Sequence, residues 1–187
     1  MADIQPEPTL SSETVFSGKL IDVRKDRVRL PNGKSTEREI VIHPEVIAVV
    51  PVLDDGRVVF VRQYRKAADR VLLELPAGGI DAGETAEEAV RREMVEETGY
   101  RVGSTRFLTR FYSSPGFTTE LMHLFLATDL EPGDATEETD QIEVVTLSVD
   151  GALRRMNGGE MADAKTILGV LFYARSLAGA TNPRHSS

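Results

Sequence analysis

On a helical wheel of about 100° per residue, Ala86, Ala89, Val90 and Met94 define one apolar arc, and Glu93 and Glu97 fall inside it. An ionised carboxylate taken out of water without compensation is strongly unfavourable, and two of them four residues apart also repel one another. Something positive must meet them. Glu96 is three residues from Glu93, so one helix can present three carboxylates to a single point, a donor set suited to hard divalent cations such as Mg²⁺ or Mn²⁺. The alternative is an alanine-rich stripe that is only half buried, with these glutamates along its wet rim.

The element carrying them is well marked. Thr85 followed by Glu88 forms a capping-box pattern, and no Gly or Pro intervenes before Gly99, which reads as the C-cap. Gly78, Gly79 and Gly83 let the preceding loop turn sharply and approach a ligand, and Glu84 can reach back toward the acidic cluster. Around this helix the chain reads as strands. Val15 to Asp22, Val23 to Leu30 and Glu39 to Ile42 are strand-like, the last two joined by a Pro31-Asn32-Gly33 turn, and Val46 to Leu53 is expected to pair with Arg57 to Arg65 across Asp54-Asp55-Gly56. Arg106 to Tyr112, Leu121 to Thr128 and Ile142 to Val149 are further strands, and Ala152 to Asn157 and Asp163 to Leu177 are helices. Such an order predicts an α/β domain with a mixed sheet between helices. Residues 1–13 and 179–187 read as loose tails, 14–45 as a strand-built arm and 46–178 as the main domain.

Composition narrows the chemistry. The 187 residues support one sizeable core, and 22 Lys plus Arg against 30 Asp plus Glu leave a net charge of −8, which opposes a broad nucleic-acid-binding surface. The absence of cysteine removes thiolate metal sites and cysteine nucleophiles. No apolar run is long enough to span a bilayer and the first dozen residues carry no secretory pattern, so a cytoplasmic protein is expected. Gly33-Lys34-Ser35 mimics the end of a P-loop, but Val28 stands where its leading glycine belongs. His43, His123 and His185 have no zinc-ligand spacing, and Ser113 and Ser114 lack a nucleophile-elbow context.

Gly78, Glu84, Arg92, Glu93, Glu96, Glu97 and Gly99 occupy the spacing G-x5-E-x7-R-E-U-x-E-E-x-G-U, with Met94 and Tyr100 at the bulky apolar U positions. This resembles the Nudix box, the signature of hydrolases acting on nucleoside diphosphates linked to another moiety. Seven fixed letters at roughly 6% usage make a chance match on the order of 10⁻⁹ per window. The resemblance implies a Nudix-type α/β/α sandwich with added N-terminal antiparallel strands. It implies that Glu93 and Glu97, with the Ala77 carbonyl, hold metal, that Glu96 helps with a further ion, and that Arg92 orients a catalytic carboxylate. Two or three Mg²⁺ ions, or Mn²⁺, are expected. On its own, Arg92 reads as a surface rung between Glu88 and Glu96.

Three features outside the box look like ADP-ribose pyrophosphatases. Pro115, Gly116 and Phe117 lie in a segment whose proline is sixteen residues beyond Gly99, resembling that subfamily's downstream proline; read alone, it is a Pro-Gly turn. Arg65 ends a strand where the family places an arginine against substrate phosphates, the plain alternative being an edge-strand cation. Glu74 is similar to a glutamate that contributes to nucleotide recognition. By the same resemblance a glutamate of the acidic loop 131–141 acts as or positions the general base; Glu138 is the choice, with Glu137 and Asp140 as fallbacks. The resemblance also implies a swapped homodimer in which Tyr112, Phe117 or an arginine of the arm stacks on adenine. ADP-ribose hydrolysis to AMP and ribose 5-phosphate is the expected activity. A broader nucleoside diphosphate sugar hydrolase, cleaving GDP-mannose or ADP-glucose, and an idle ligand-sensing module are the competing readings.

Overall fold

The computed structural model describes residues 4–133 and 141–180. These fall into two compact units, one of the chain up to Glu45 with Tyr112–Leu121, the other of Val46–Phe111 with the described residues from Met122 onward.

The first unit is an antiparallel sheet of β1 (Thr9–Ser17), β2 (Asp22–Arg29) and β3 (Ser35–Ile42), in that order. The Pro31-Asn32-Gly33 turn joins β2 to β3 as expected, with the Leu30 N–H donating to the Lys34 carbonyl at 2.8 Å. β1 begins at Thr9, inside the stretch expected to be a loose tail. Backbone pairing with β2 satisfies its amides whatever side chains it carries, so polarity alone was a poor guide there. Pro115-Gly116-Phe117 is a turn in this unit, Phe117 donating its N–H to the Ser114 carbonyl at 3.1 Å. The Val41 N–H of β3 donates to the Phe117 carbonyl at 2.7 Å.

The second unit is built on β4 (Val46–Pro51), every residue of which is buried. Side chains alternate along a strand, so Val46, Ala48 and Val50 enter one core, with Phe60, Leu75, Leu124 and Val170, while Ile47 and Val49 enter another, with Ala89, Val90, Met94 and Phe125. β4 runs parallel to β9 (Leu121–Pro132) and antiparallel to β7 (Ala77–Gly79), in a sheet completed by β8 (Tyr100–Tyr112). A second sheet has β5 (Val58–Arg65) between β6 (Arg70–Glu74) and β10 (Ile142–Leu147). α1 (Ala86–Thr98) covers the Ile47 face; α2 (Val149–Asn157) and α3 (Ala164–Ala180) cover the other. That is the mixed α/β/α arrangement expected.

One pairing differs. The turn at Asp54-Asp55-Gly56 forms, but β4 and β5 share only the Val52–Val58 bridge before entering different sheets. β4 is occupied on both edges by β7 and β9, which leaves no edge for a hairpin partner. β6 and β7 were not anticipated. Their five and three residues are too few to show a period.

α3 is seated by Gly169, where an added Cβ would overlap the Leu75 side chain and press on Val50. Gly169→Val is expected to destabilise the protein by about 1–3 kcal/mol through overpacking, read as a lowered midpoint with unchanged slope in urea denaturation.

Candidate active site

α1 is held at both ends by the predicted residues. The Thr85 hydroxyl accepts the Glu88 N–H at 3.3 Å while the Glu88 carboxylate accepts the Thr85 N–H at 2.7 Å. Gly99 stops the helix in the left-handed region at φ 71°, donating its N–H to the Val95 carbonyl. With Ala89, Val90 and Met94 packed on β4, the helix turns Glu93 and Glu97 toward β7.

That strand fits the carboxylates closely. β7 is fixed by register, with Gly78 opposite Ile47 and Ala77 opposite Ala48. A Cβ on Gly78 would overlap the Glu93 carboxylate, so a larger residue there would force that carboxylate out of its place. The Glu97 carboxylate accepts the Ala77 N–H at 3.1 Å. Burial, with the Glu93 charge adding to it, outweighs that hydrogen bond and pushes the Glu97 carboxyl up to about 7.

Arg92 is the hub of the outer part. Its Nε and Nη2 donate to the two Glu84 oxygens at 3.0 and 2.9 Å, its Nη1 to Glu93 at 2.7 Å and Glu96 at 3.0 Å, and its Nη2 also to the Gly79 carbonyl at 2.8 Å. The bonds to Glu84, followed by those to Glu93 and Glu96, raise the Arg92 guanidinium above its ordinary value. Glu84 is held below the usual carboxylate range by Arg92 and by the Asp81 N–H. The surface rung with Glu88 does not form, because Glu88 is spent on the cap.

Among the described residues no three acidic or histidine side chains already converge as a metal cluster. Glu93 and Glu96 share the Arg92 guanidinium instead of meeting Glu97 at one point. The donors nonetheless suit a hard cation: carboxylate oxygens, a backbone carbonyl at Ala77, and a Glu97 that accepts the Ala77 N–H and is reached by the Arg65 and Lys165 charges.

Beside the box, Arg65 donates Nε and Nη2 to the two oxygens of Glu74, both at 2.8 Å. Glu74 is 1% exposed and also accepts from Lys165. Burial works against its charge, but the Arg65 hydrogen bonds and the Lys165 charge prevail and hold it below the usual range. Lys165 further pairs with Asp163 at 3.0 Å. Thr166 accepts the Leu75 N–H at 2.7 Å and donates to Asp163 at 2.5 Å. Asp163, Lys165 and Thr166 were not singled out from the sequence. The available signal was a lysine in the first turn of a helix, where the macrodipole disfavours a cation.

The structure thus gathers Ala77, Gly78, Arg92, Glu93, Glu96 and Glu97 in one place, with Arg65 and Glu74 close enough for Arg65 to act on the Glu97 charge. Pro115, Gly116 and Phe117 belong to the other unit. Glu137, Glu138 and Asp140 lie outside the described residues.

Residues 42–165 match the NUDIX domain family. The chain belongs to the Nudix family. Residues 7–41 match the nucleoside diphosphate sugar hydrolase N-terminal domain. The Nudix relatives include an ADP-ribose pyrophosphatase of Bacillus subtilis, 41% identical over 89% of this chain and 91% of its own length. A methanol dehydrogenase activator of Bacillus methanolicus is 35% identical over 92% and 95%. A GDP-mannose pyrophosphatase of Cronobacter sakazakii is 40% identical over 59% of this chain and 63% of its own length. A solved structure of an ADP compounds hydrolase, 24% identical, covers 97% of this chain and 99% of that one at a TM-score of 0.86, which shows the shared fold. Among the described residues no helix is long and apolar enough to cross a membrane.

The raised Glu97 value has a consequence for stability. Its ordinary value is 4.5, so between there and about 7 the unfolded chain has already released a proton that the folded chain keeps, and stability falls as pH rises. Glu97→Gln is expected to stabilise the metal-free protein at pH 8 by up to about 3 kcal/mol and to leave it nearly unchanged at pH 4. Urea denaturation in EDTA measures both, and saturating Mg²⁺ should reverse the order at pH 8.

Proposed function

We propose that this Nudix hydrolase cleaves ADP-ribose, with water, to AMP and ribose 5-phosphate. The observation that carries the reading is Glu97: a buried carboxylate held on the Ala77 N–H and facing the Glu93 charge, in a chain whose Nudix box is complete. A B. subtilis relative that matches nearly end to end and bears the name ADP-ribose pyrophosphatase supports the substrate.

Glu93, Glu97 and the Ala77 carbonyl would hold the metal, with Glu96 serving a further ion in a set of two or three Mg²⁺ or Mn²⁺. Bound there, such ions neutralise the diphosphate and lower the pKa of water. Arg92 keeps Glu84, Glu93 and Glu96 in place through its four hydrogen bonds to them. Arg65 has five N–H groups, of which Glu74 takes two; those that remain suit phosphate oxygens. Glu138 accepts or positions the proton of the attacking water, and Gly78, Pro115, Gly116 and Phe117 contribute to substrate binding. Two copies assemble as a homodimer through the N-terminal arm, a role supported by exposed Leu10, Val15, Phe16 and Leu20. A cytoplasmic location is consistent with this chemistry.

The GDP-mannose pyrophosphatase relative favours a second reading, a hydrolase of broader nucleoside diphosphate sugars. Nucleoside monophosphate release from ADP-ribose, ADP-glucose, GDP-mannose and diadenosine polyphosphates, with and without Mg²⁺, separates the two. Preference for ADP-ribose and dependence on Mg²⁺ are expected; equal turnover of GDP-mannose would favour the broader assignment. Glu97→Gln should abolish turnover in a folded protein, and wild-type activity there would refute the metal role. Glu138→Gln should lower kcat about 100-fold or more with little change in KM, and the opposite pattern would make it a binding residue.

A further inference from the structure

Lys165 is the second residue of α3, with its side chain 8% exposed and its ammonium on Glu74 and Asp163. Both the burial and the helix dipole disfavour a cation there. Its two carboxylate partners offset that cost, and one of them is shared. Glu74 grips Lys165 on one side and the Arg65 guanidinium on the other, and is itself 1% exposed. With both oxygens engaged and almost no exposed surface, Glu74 is badly placed to meet a ligand. Arg65, with 41% of its side chain exposed, is well placed.

The three groups therefore form a line from the interior to the surface, anchored in turn to the backbone. Asp163, which accepts from Lys165, also accepts the Thr166 N–H and hydroxyl, and Thr166 accepts the Leu75 N–H next to Glu74. The helix start and the end of β6 are thus locked to the same carboxylate. A guanidinium held by two parallel bonds to one carboxylate takes its orientation from that carboxylate.

We propose that Lys165 is a positioning residue: through the buried Glu74 carboxylate it fixes the Arg65 guanidinium in the orientation that receives a substrate phosphate. This rests on the assignment of Arg65 to phosphate binding above. Lys165 itself does not touch substrate, and Glu74 serves substrate recognition through Arg65.

The test is a double-mutant cycle read by Kd for α,β-methylene-ADP-ribose in calorimetry and by kcat and KM for ADP-ribose, on folded full-length protein with Mg²⁺. Arg65→Ala and Lys165→Met are each expected to weaken binding by about tenfold, with kcat falling less than KM rises. In the Arg65→Ala background, Lys165→Met should weaken binding no further. An undiminished effect of Lys165→Met in that background would overturn the proposal, as would unchanged affinity in Lys165→Met alone while Arg65→Ala is impaired. If Arg65→Ala binds as wild type does, the Arg65 assignment itself has failed, and the proposal falls with it. Should Lys165→Met not fold, Glu74→Gln with Lys165→Met removes a buried charge of each sign together. It is expected to weaken binding as Arg65→Ala does, and unchanged affinity would refute the proposal.

Discussion

Concentrating negative charge on one side of a packed helix is the constraint around which this protein is organised. α1 must bury Ala89, Val90 and Met94 against β4 to stay attached, and that docking brings Glu93 and Glu97 to the same wall. Two devices keep the arrangement tolerable. Arg92 gathers Glu84, Glu93 and Glu96 onto one guanidinium, and the Ala77 N–H supports Glu97. Neither device neutralises Glu97, whose carboxyl stays raised. Burial, with the Glu93 charge adding to it, works against the ionised form of Glu97, and any cation bound there would recover that free energy.

The backbone geometry serves the same end. β4 is saturated on both edges, by β7 on one side and β9 on the other, and its pairing with β7 fixes where Ala77 and Gly78 lie. Gly78 then lies against the Glu93 carboxylate, where a Cβ would displace it. A second polar system, Arg65, Glu74, Lys165, Asp163 and Thr166, ties β5, β6 and α3 together beside the box. Buried ion pairs add little net stability against apolar packing, but breaking one is costly, which makes them suited to holding orientation.

Much of the box was readable because each of its features is local. Thr85 and Glu88 specify the helix start, Gly99 its end, and the seven spaced letters its chemistry, all within 22 consecutive residues. The elements that escaped notice were short or depended on distant partners. β6 and β7 carry too few residues for periodicity, β1 is polar along most of its length, and β4 and β5 carry a hairpin turn yet separate after one bridge. The role of Lys165 is not legible locally, because 91 positions separate it from Glu74.

By itself the sequence determined the identity and order of the acidic helix and the loop that precedes it, since capping, helical spacing and glycine placement act between near neighbours, and the Nudix-box resemblance those residues carry implied the class of reaction. Only the tertiary structure decided which charges meet. Arg92 chose Glu84 over Glu88, Glu74 was enclosed between Arg65 and Lys165, and Glu97 was set on the Ala77 amide. Those outcomes depend on desolvation and on contacts between residues far apart in the chain, and both arise only once the sheets and helices have packed.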